Sequence, residues 1–169
     1  MTELGSANAR QTNHCLEPME IVKSSFAELE KAPEFFDLLE EYALESSIYG
    51  LPHPKAKCEQ YRVLDKSGIF HVFSAFHKNS LVGFITVLLP ILNHYSETVA
   101  VSESYFVSKA YRNTGAGTEL RKAAEQFSKD KGALGLLISA PSGGILEKVL
   151  PRSGYEETNK VYFKRFKDE

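Results

Sequence analysis

The stretch with the densest chemistry runs from Val107 to Leu120 and reads V-S-K-A-Y-R-N-T-G-A-G-T-E-L. The segment before it, Thr98 to Val107, is apolar and rich in strand-forming residues. After it, Leu120, Ala123, Ala124 and Phe127 recur at i, i+3, i+4 and i+7, the period of a helix with one apolar face. The spacing predicts a strand, a short basic turn and the first turn of a helix. The N–H groups of a first helical turn lack partners inside the helix, and the helix dipole favours an anion in front of them. Gly115 and Gly117 offer bare backbone at that point. Arg112 sets a permanent positive charge beside it. Residues of these types in this order suit a pyrophosphate.

Spacing then separates the known ways of holding one. A P-loop needs Lys directly after its last glycine, and Thr118 stands there instead. A dinucleotide fingerprint needs a third glycine where Leu120 lies. What remains is R-x-x-G-x-G, made by Arg112, Asn113, Thr114, Gly115, Ala116 and Gly117. This run resembles the acyl-CoA loop of the GCN5-related N-acetyltransferase (GNAT) family. The alternative is a tight strand-to-helix turn whose glycines serve geometry alone.

The rest of the chain bounds these readings. Its 169 residues suit one domain. A formal charge of −2 gives no reason to expect nucleic-acid binding. Cys15 and Cys58 form no C-x-x-C pair, which suits a reduced, cytoplasmic protein. No apolar run approaches the roughly 20 residues needed to span a bilayer, and the N-terminus has no apolar core of a signal peptide. His14, His53, His71, His77 and His94 do not pair at metal-ligand spacing, so no metal is expected. His71 and His77 fall on one strand face, where a structural role with satisfied partners is expected.

Taken in order, residues 1–18 are polar and read as a disordered tail, and residues 19–169 as one domain. Glu20 to Phe26 reads as a first strand. Pro33 suits the start of a helix, whose Phe35, Leu38, Leu39 and Tyr42 face the core. Glu34, Asp37, Glu40, Glu41 and Glu45 make the rest of that helix acidic, either as a solvated face or as a rim that attracts a cationic acceptor. Ser46 to Lys57 is a loop with a short helix beside it. Ile69 to His77 and Leu81 to Leu89 form a hairpin. Leu134 to Ala140 is a short strand, parallel to the one before the glycine motif. Ile145 to Leu150 is a helix stopped by Pro151, and Val161 to Phe166 is a last strand. The fold class is therefore α/β, a mixed central sheet flanked by helices.

That order of elements is also the GNAT order, so the resemblance covers roughly Glu20 to Phe166. It implies a mixed sheet whose central parallel strands splay apart, with the pantetheine arm of acetyl-CoA lying in the gap. Backbone groups of Phe106 and Val107 would pair with that arm, and Arg112 through Thr118 would hold the pyrophosphate. An amine must be neutral to attack the thioester, so a base near the splay helps. Several members of the family use an acidic residue on this strand, and Glu103 is the candidate; strict alternation would put it on one face with Val101, Tyr105 and Val107. The departing thiolate needs a proton. Many members place a Tyr four residues before the closing glycine, but here that position is Leu150. Tyr162 stands as the candidate acid, with Tyr105, Tyr155 or water as alternatives, and Tyr155 also fits the family's core aromatic position. Tyr49 and His53 are candidate acceptor contacts.

The reading is an acetyl-CoA-dependent N-acetyltransferase acting on a primary amine of a small molecule or peptide. It carries no metal, nucleic-acid partner or membrane partner, and a homodimer stays open. The alternatives are an acyl-CoA-binding sensor without turnover and a toxin-like member with a macromolecular acceptor.

Overall fold

The computed structural model describes residues 19–48, 51 and 57–166. The tail expected over residues 1–18, and Tyr49 and His53, lie outside the described residues. The elements run β1 (Glu20–Ser24), α1 (Phe26–Lys31), α2 (Phe35–Ser46), α3 (Lys57–Ser67), β2 (Phe70–His77) and β3 (Ser80–Leu88). A two-residue pair, β4 (Ile91–Leu92) and β5 (Glu97–Thr98), precedes β6 (Ala100–Val107). A 3-10 turn (Lys109–Thr114), α4 (Ala116–Asp130), β7 (Leu136–Ile138) and α5 (Ile145–Arg152) follow. The main sheet has the order β1-β2-β3-β6-β7. Its first four strands pair antiparallel, and β7 pairs parallel to β6.

Local chemistry sets the boundaries. The first strand stops at Ser24, earlier than its apolar content suggests, because Ser25 caps a helix. The Ser25 hydroxyl accepts the Glu28 N–H at 3.2 Å, and the Glu28 carboxylate accepts the Ser25 N–H at 2.7 Å. This reciprocal pair is a capping box. Pro33 then forces Ala32 into extended backbone (ψ 130°), which separates α1 from α2. Lys78 and Asn79 take positive φ (51° and 67°), the geometry a two-residue hairpin loop requires between β2 and β3.

Helices cover both faces. On one face Phe26, Leu29, Phe35, Leu38, Leu39 and Tyr61 pack against Phe70, Val72, Leu81, Phe84 and Phe106. Phe26 is fully buried, which contributes about 1.5–3 kcal/mol relative to an exposed ring. On the other face Ala116, Leu120 and Ala124 of α4 pack on Phe73, Ala75, Val82, Ile85, Val87 and Val107. Between β3 and β6, a Cβ on Gly83 would lie 2.7 Å from the Phe106 carbonyl oxygen and 2.9 Å from Val107 Cγ2. Only glycine lets the two strands close there.

Two expectations about the C-terminal part are corrected. The last helix runs through Pro151 to Arg152. The expected strand over Val161–Phe166 does not form: the segment has no regular structure, and Val161, Tyr162 and Phe166 are more than 80% exposed. A strand needs an edge to pair with, and β7 offers only three residues. No described helix is long and apolar enough to cross a membrane.

Candidate active site

The site is built around an irregularity in β6. Thr86 of β3 faces Ser104, but the next residue, Val87, faces Ser102, so Glu103 is the extra residue of a β-bulge. The backbone N–H of Ser104 donates to the Thr86 hydroxyl at 3.0 Å. A side chain thus supplies a partner where the regular ladder is interrupted, as a buried N–H requires. Thr86, Ser102 and Ser104 are all buried.

The bulge shifts the phase of the strand, and this corrects the expected face of Glu103. Ser104 and Phe106 face Thr86 and Phe84, whereas Tyr105 and Val107 face Ile85 and Gly83. The Glu103 carboxylate does not join Tyr105 and Val107 over α4. Its Oε2 accepts a 2.7 Å hydrogen bond from the Ser104 hydroxyl and a further one from the Tyr61 hydroxyl of α3. The Tyr61 and Ser104 oxygens are 2.9 Å apart. Glu103 itself is partly exposed, and Tyr61 is buried.

The same bulge marks where the sheet opens. Pairing between β6 and β7 covers Ala100 with Leu136, Val101 with Leu137 and Ser102 with Ile138. There β7 ends, while β6 continues from Glu103 to Val107. Among the described residues no strand pairs with that side of β6. Phe106 lies on this open stretch, and the Val107 carbonyl accepts a 2.9 Å hydrogen bond from Arg112 Nε.

Next to the open edge stands the N-terminus of α4. Gly115 is left-handed (φ 89°), which glycine adopts without strain, and a Cβ there would meet open space. No side chain caps the helix. The Thr114 hydroxyl lies 3.5 Å from the Ala116 nitrogen, a marginal contact, and the first intrahelical bond is Glu119 N–H to Gly115 C=O at 3.0 Å. The N–H groups of Gly117 and Thr118 precede it and fall within the partnerless first turn. Asn113, Gly115 and Thr118 are exposed and Ala116 is buried. Donors, dipole and open space make a place for an anion.

The two flanking residues do more than sequence spacing suggests. Arg112 Nη2 pairs with Glu45 of α2 at 2.6 Å, and its guanidinium lies 5.4 Å from the Phe106 ring centroid. Its charge is shared with α2 as well as set beside the turn. At Gly117 a Cβ would lie 3.2 Å from the Tyr105 hydroxyl, which donates to the Gly117 carbonyl at 2.6 Å. That glycine serves helix-on-strand packing.

None of the three tyrosines considered as proton donors is bonded to Glu103. Burial, with Glu125 nearby, pushes the Tyr105 phenol up to about 12 despite Arg121. Tyr155 donates to Glu125 Oε1 at 2.8 Å. Burial first, then that hydrogen bond, holds its phenol well above the usual range. Tyr162 is 88% exposed and hydrogen-bonds no described residue. Leu150, at the usual tyrosine position, is buried. The tyrosine beside Glu103 is Tyr61, which motif spacing missed because α3 carries no sequence signature. His71 and His77 do share a face, against Phe127 and Tyr111 respectively. The Nδ1 of His77, however, is buried without a hydrogen-bond partner among the described residues.

The model of the acetyltransferase (GNAT) family matches residues 32–142. The chain belongs to the GNAT family. Among curated proteins no sequence matches it. Solved structures share the fold at low identity. One is an aminoglycoside acetyltransferase, meta-AAC0020, from an uncultured soil metagenomic sample, in complex with trehalose (21% identity, TM-score 0.68, 88% of this chain and 97% of that one). A second is AAC(6')-Iy in complex with the bisubstrate analogue CoA-S-monomethyl-acetylneamine (22%, 0.68, 89% and 99%). A third is the ribosomal-protein-alanine N-acetyltransferase from Brucella melitensis biovar Abortus 2308 (17%, 0.67, 88% and 99%).

Proposed function

We propose that this GNAT protein transfers the acetyl group of acetyl-CoA to a primary amine of a small molecule or peptide by direct attack. One observation carries the reading: the open edge of β6, the uncapped start of α4 and the carboxylate at the β6 bulge lie along one continuous stretch, Glu103 to Thr118. Acetyl-CoA fits this stretch. The N–H groups of Gly117 and Thr118, with the bare backbone of Gly115, would hold its pyrophosphate, and Phe106 would pair with the pantetheine arm. The family neighbour AAC(6')-Iy is described with a CoA-based bisubstrate analogue, which supports acetyl-CoA as the acyl donor.

The amine nitrogen forms a bond to the acetyl carbonyl carbon, and the C–S bond breaks with its electron pair leaving on sulfur. Glu103 Oε accepts the proton that the nitrogen sheds, directly or through a water. Positioned base catalysis of this kind is typically worth about 10²–10⁴-fold. With Tyr162 exposed and Tyr105 and Tyr155 bonded elsewhere, water protonates the thiolate. The experiment is free-thiol release from acetyl-CoA with sisomicin, spermidine and a peptide with an N-terminal alanine. Release above the acceptor-free rate with at least one amine is expected. If none gives it while acetyl-CoA still binds, the protein is an acyl-CoA sensor, the reading that buried Leu150 favours.

A further inference from the structure

We propose that Tyr61 is a positioning residue for the reaction, holding the Glu103 carboxylate at the mouth of the β6–β7 gap. The inference rests on the reading of Glu103 as the base and names what keeps that base in place. A bulge takes its extra residue out of the regular ladder and re-aims its side chain, which a contact from elsewhere can then hold. Here the anchor comes from a different layer. Tyr61 projects from α3 and reaches Glu103 Oε2, with the Ser104 hydroxyl 2.9 Å from its own oxygen. Ser104 donates to the same Oε2 at 2.7 Å. Two hydroxyls therefore converge on one carboxylate oxygen.

Tyr61 is itself fixed. Its ring stacks on Phe70 at 4.9 Å, with an interplanar angle of 27°, and meets Phe26 edge-on at 5.2 Å. Tyr61 is 5% exposed, so its ring cannot turn away without breaking the core, and its hydroxyl stays within reach of Glu103 and Ser104. A buried phenol needs a hydrogen-bond partner, and this one finds it on the only carboxylate of β6. The geometry also aims that carboxylate, and misplacement of a catalytic group by about 1 Å can cost 10²-fold.

The test compares wild type, Tyr61→Phe and Ser104→Ala in acetyl transfer to whichever of sisomicin, spermidine or the alanyl peptide turns over fastest, across about pH 6–9. Tyr61→Phe keeps the ring and its stacking, so the fold should persist, and a melting curve verifies this. The expected result is a kcat lower by about tenfold with an unchanged KM for acetyl-CoA, the size expected for losing one hydrogen bond to a charged group; because Tyr61 acts through Glu103, adding Tyr61→Phe to Glu103→Gln should cost less than about twofold more. Ser104→Ala, which removes one of the two hydroxyls, should show a smaller loss in the same direction. A folded Tyr61→Phe with unchanged kcat, or one that loses the same factor with and without Glu103→Gln, overturns the inference and leaves the acetyltransferase reading standing. Wild type inactive on all three amines overturns both.

Discussion

In the proposed reaction Glu103 is the base, and its removal is the sharpest test at this scale. In Glu103→Gln the amide keeps the hydrogen bonds from Tyr61 and Ser104 through its carbonyl oxygen but cannot take a proton. The kcat should fall by at least about 10²-fold near neutral pH, with acetyl-CoA affinity unchanged, because the proposed pyrophosphate site is the start of α4, Gly115 to Thr118. Pre-steady-state and steady-state rates against pH check this; a variant within about threefold of wild type would make Glu103 structural, with proximity supplying the acceleration. Sequence alone located this carboxylate but put it on the wrong face. Period-2 alternation assumes an unbroken ladder, and a one-residue bulge reverses it. The bulge leaves no clear signature in S-E-S, since its stabilising partner, Thr86, lies on another strand. Tyr61 was hidden for the same reason: its importance comes from a contact 42 residues away.

At the scale of elements, the strand–turn–helix unit was legible because it is local. The apolar period of α4, the glycine at a positive-φ position and the parallel β7 all follow from short-range rules. What local rules miss is that the two glycines work differently. Gly115 supplies a backbone conformation, and Gly117 supplies clearance for Tyr105. A substitution at Gly117 would therefore disturb packing and binding together. Thr118 is exposed in the first turn, so Thr118→Glu is the cleaner probe. An acidic residue there suits the helix dipole and leaves stability intact, but it sets a like charge against the pyrophosphate. Calorimetry should show acetyl-CoA affinity lower by about tenfold or more, one such unfavourable contact being worth roughly 1.4 kcal/mol; an unchanged value would remove the pyrophosphate from this helix.

The packing of α4 on the sheet has a consequence with pH. His71 of β2 lies 4.5 Å from the Phe127 ring. Burial, then the charges of Lys23 and Lys131, hold it below the usual histidine value of 6.5, with Asp65 opposing. The folded protein therefore binds fewer protons here than the unfolded chain does below that value. The stabilising contribution is complete above about pH 6.5 and is lost as pH falls towards and through the lowered folded value. The melting temperature should drop between about pH 7.5 and 5.5, and His71→Gln should drop less over the same range. Equal drops in the two proteins would show that other groups set the acid sensitivity.

Across the whole molecule, the acidic side of α2 ties the helical layer to the turn before α4. Glu34 accepts the Leu81 N–H at 3.3 Å, Glu41 accepts the Lys109 N–H at 2.8 Å, and Glu45 pairs with both Arg112 and Lys109. Sequence composition shows the charges and hides their partners, which sit 47 to 68 residues away. It also suggested a last strand where the chain instead runs exposed, because Val161 to Phe166 has strand-like residues but no long edge to join. The open side of β6 and the start of α4 then meet where both layers of the core are anchored, since Phe106 belongs to one and Val107 to the other. A ligand bound there contacts the folded protein at its junction and has no equivalent site in the unfolded chain. Acetyl-CoA at about 100 times its dissociation constant should stabilise the fold by roughly 2.7 kcal/mol. For 169 residues that corresponds to a melting temperature about 5–11 °C higher. Differential scanning fluorimetry at increasing acetyl-CoA measures it, with Thr118→Glu run alongside. A rise in the variant about half that of wild type or smaller, as a tenfold weaker affinity gives, places the ligand at α4. No rise in wild type at millimolar acetyl-CoA would mean that the open edge of β6 is not a binding site for it.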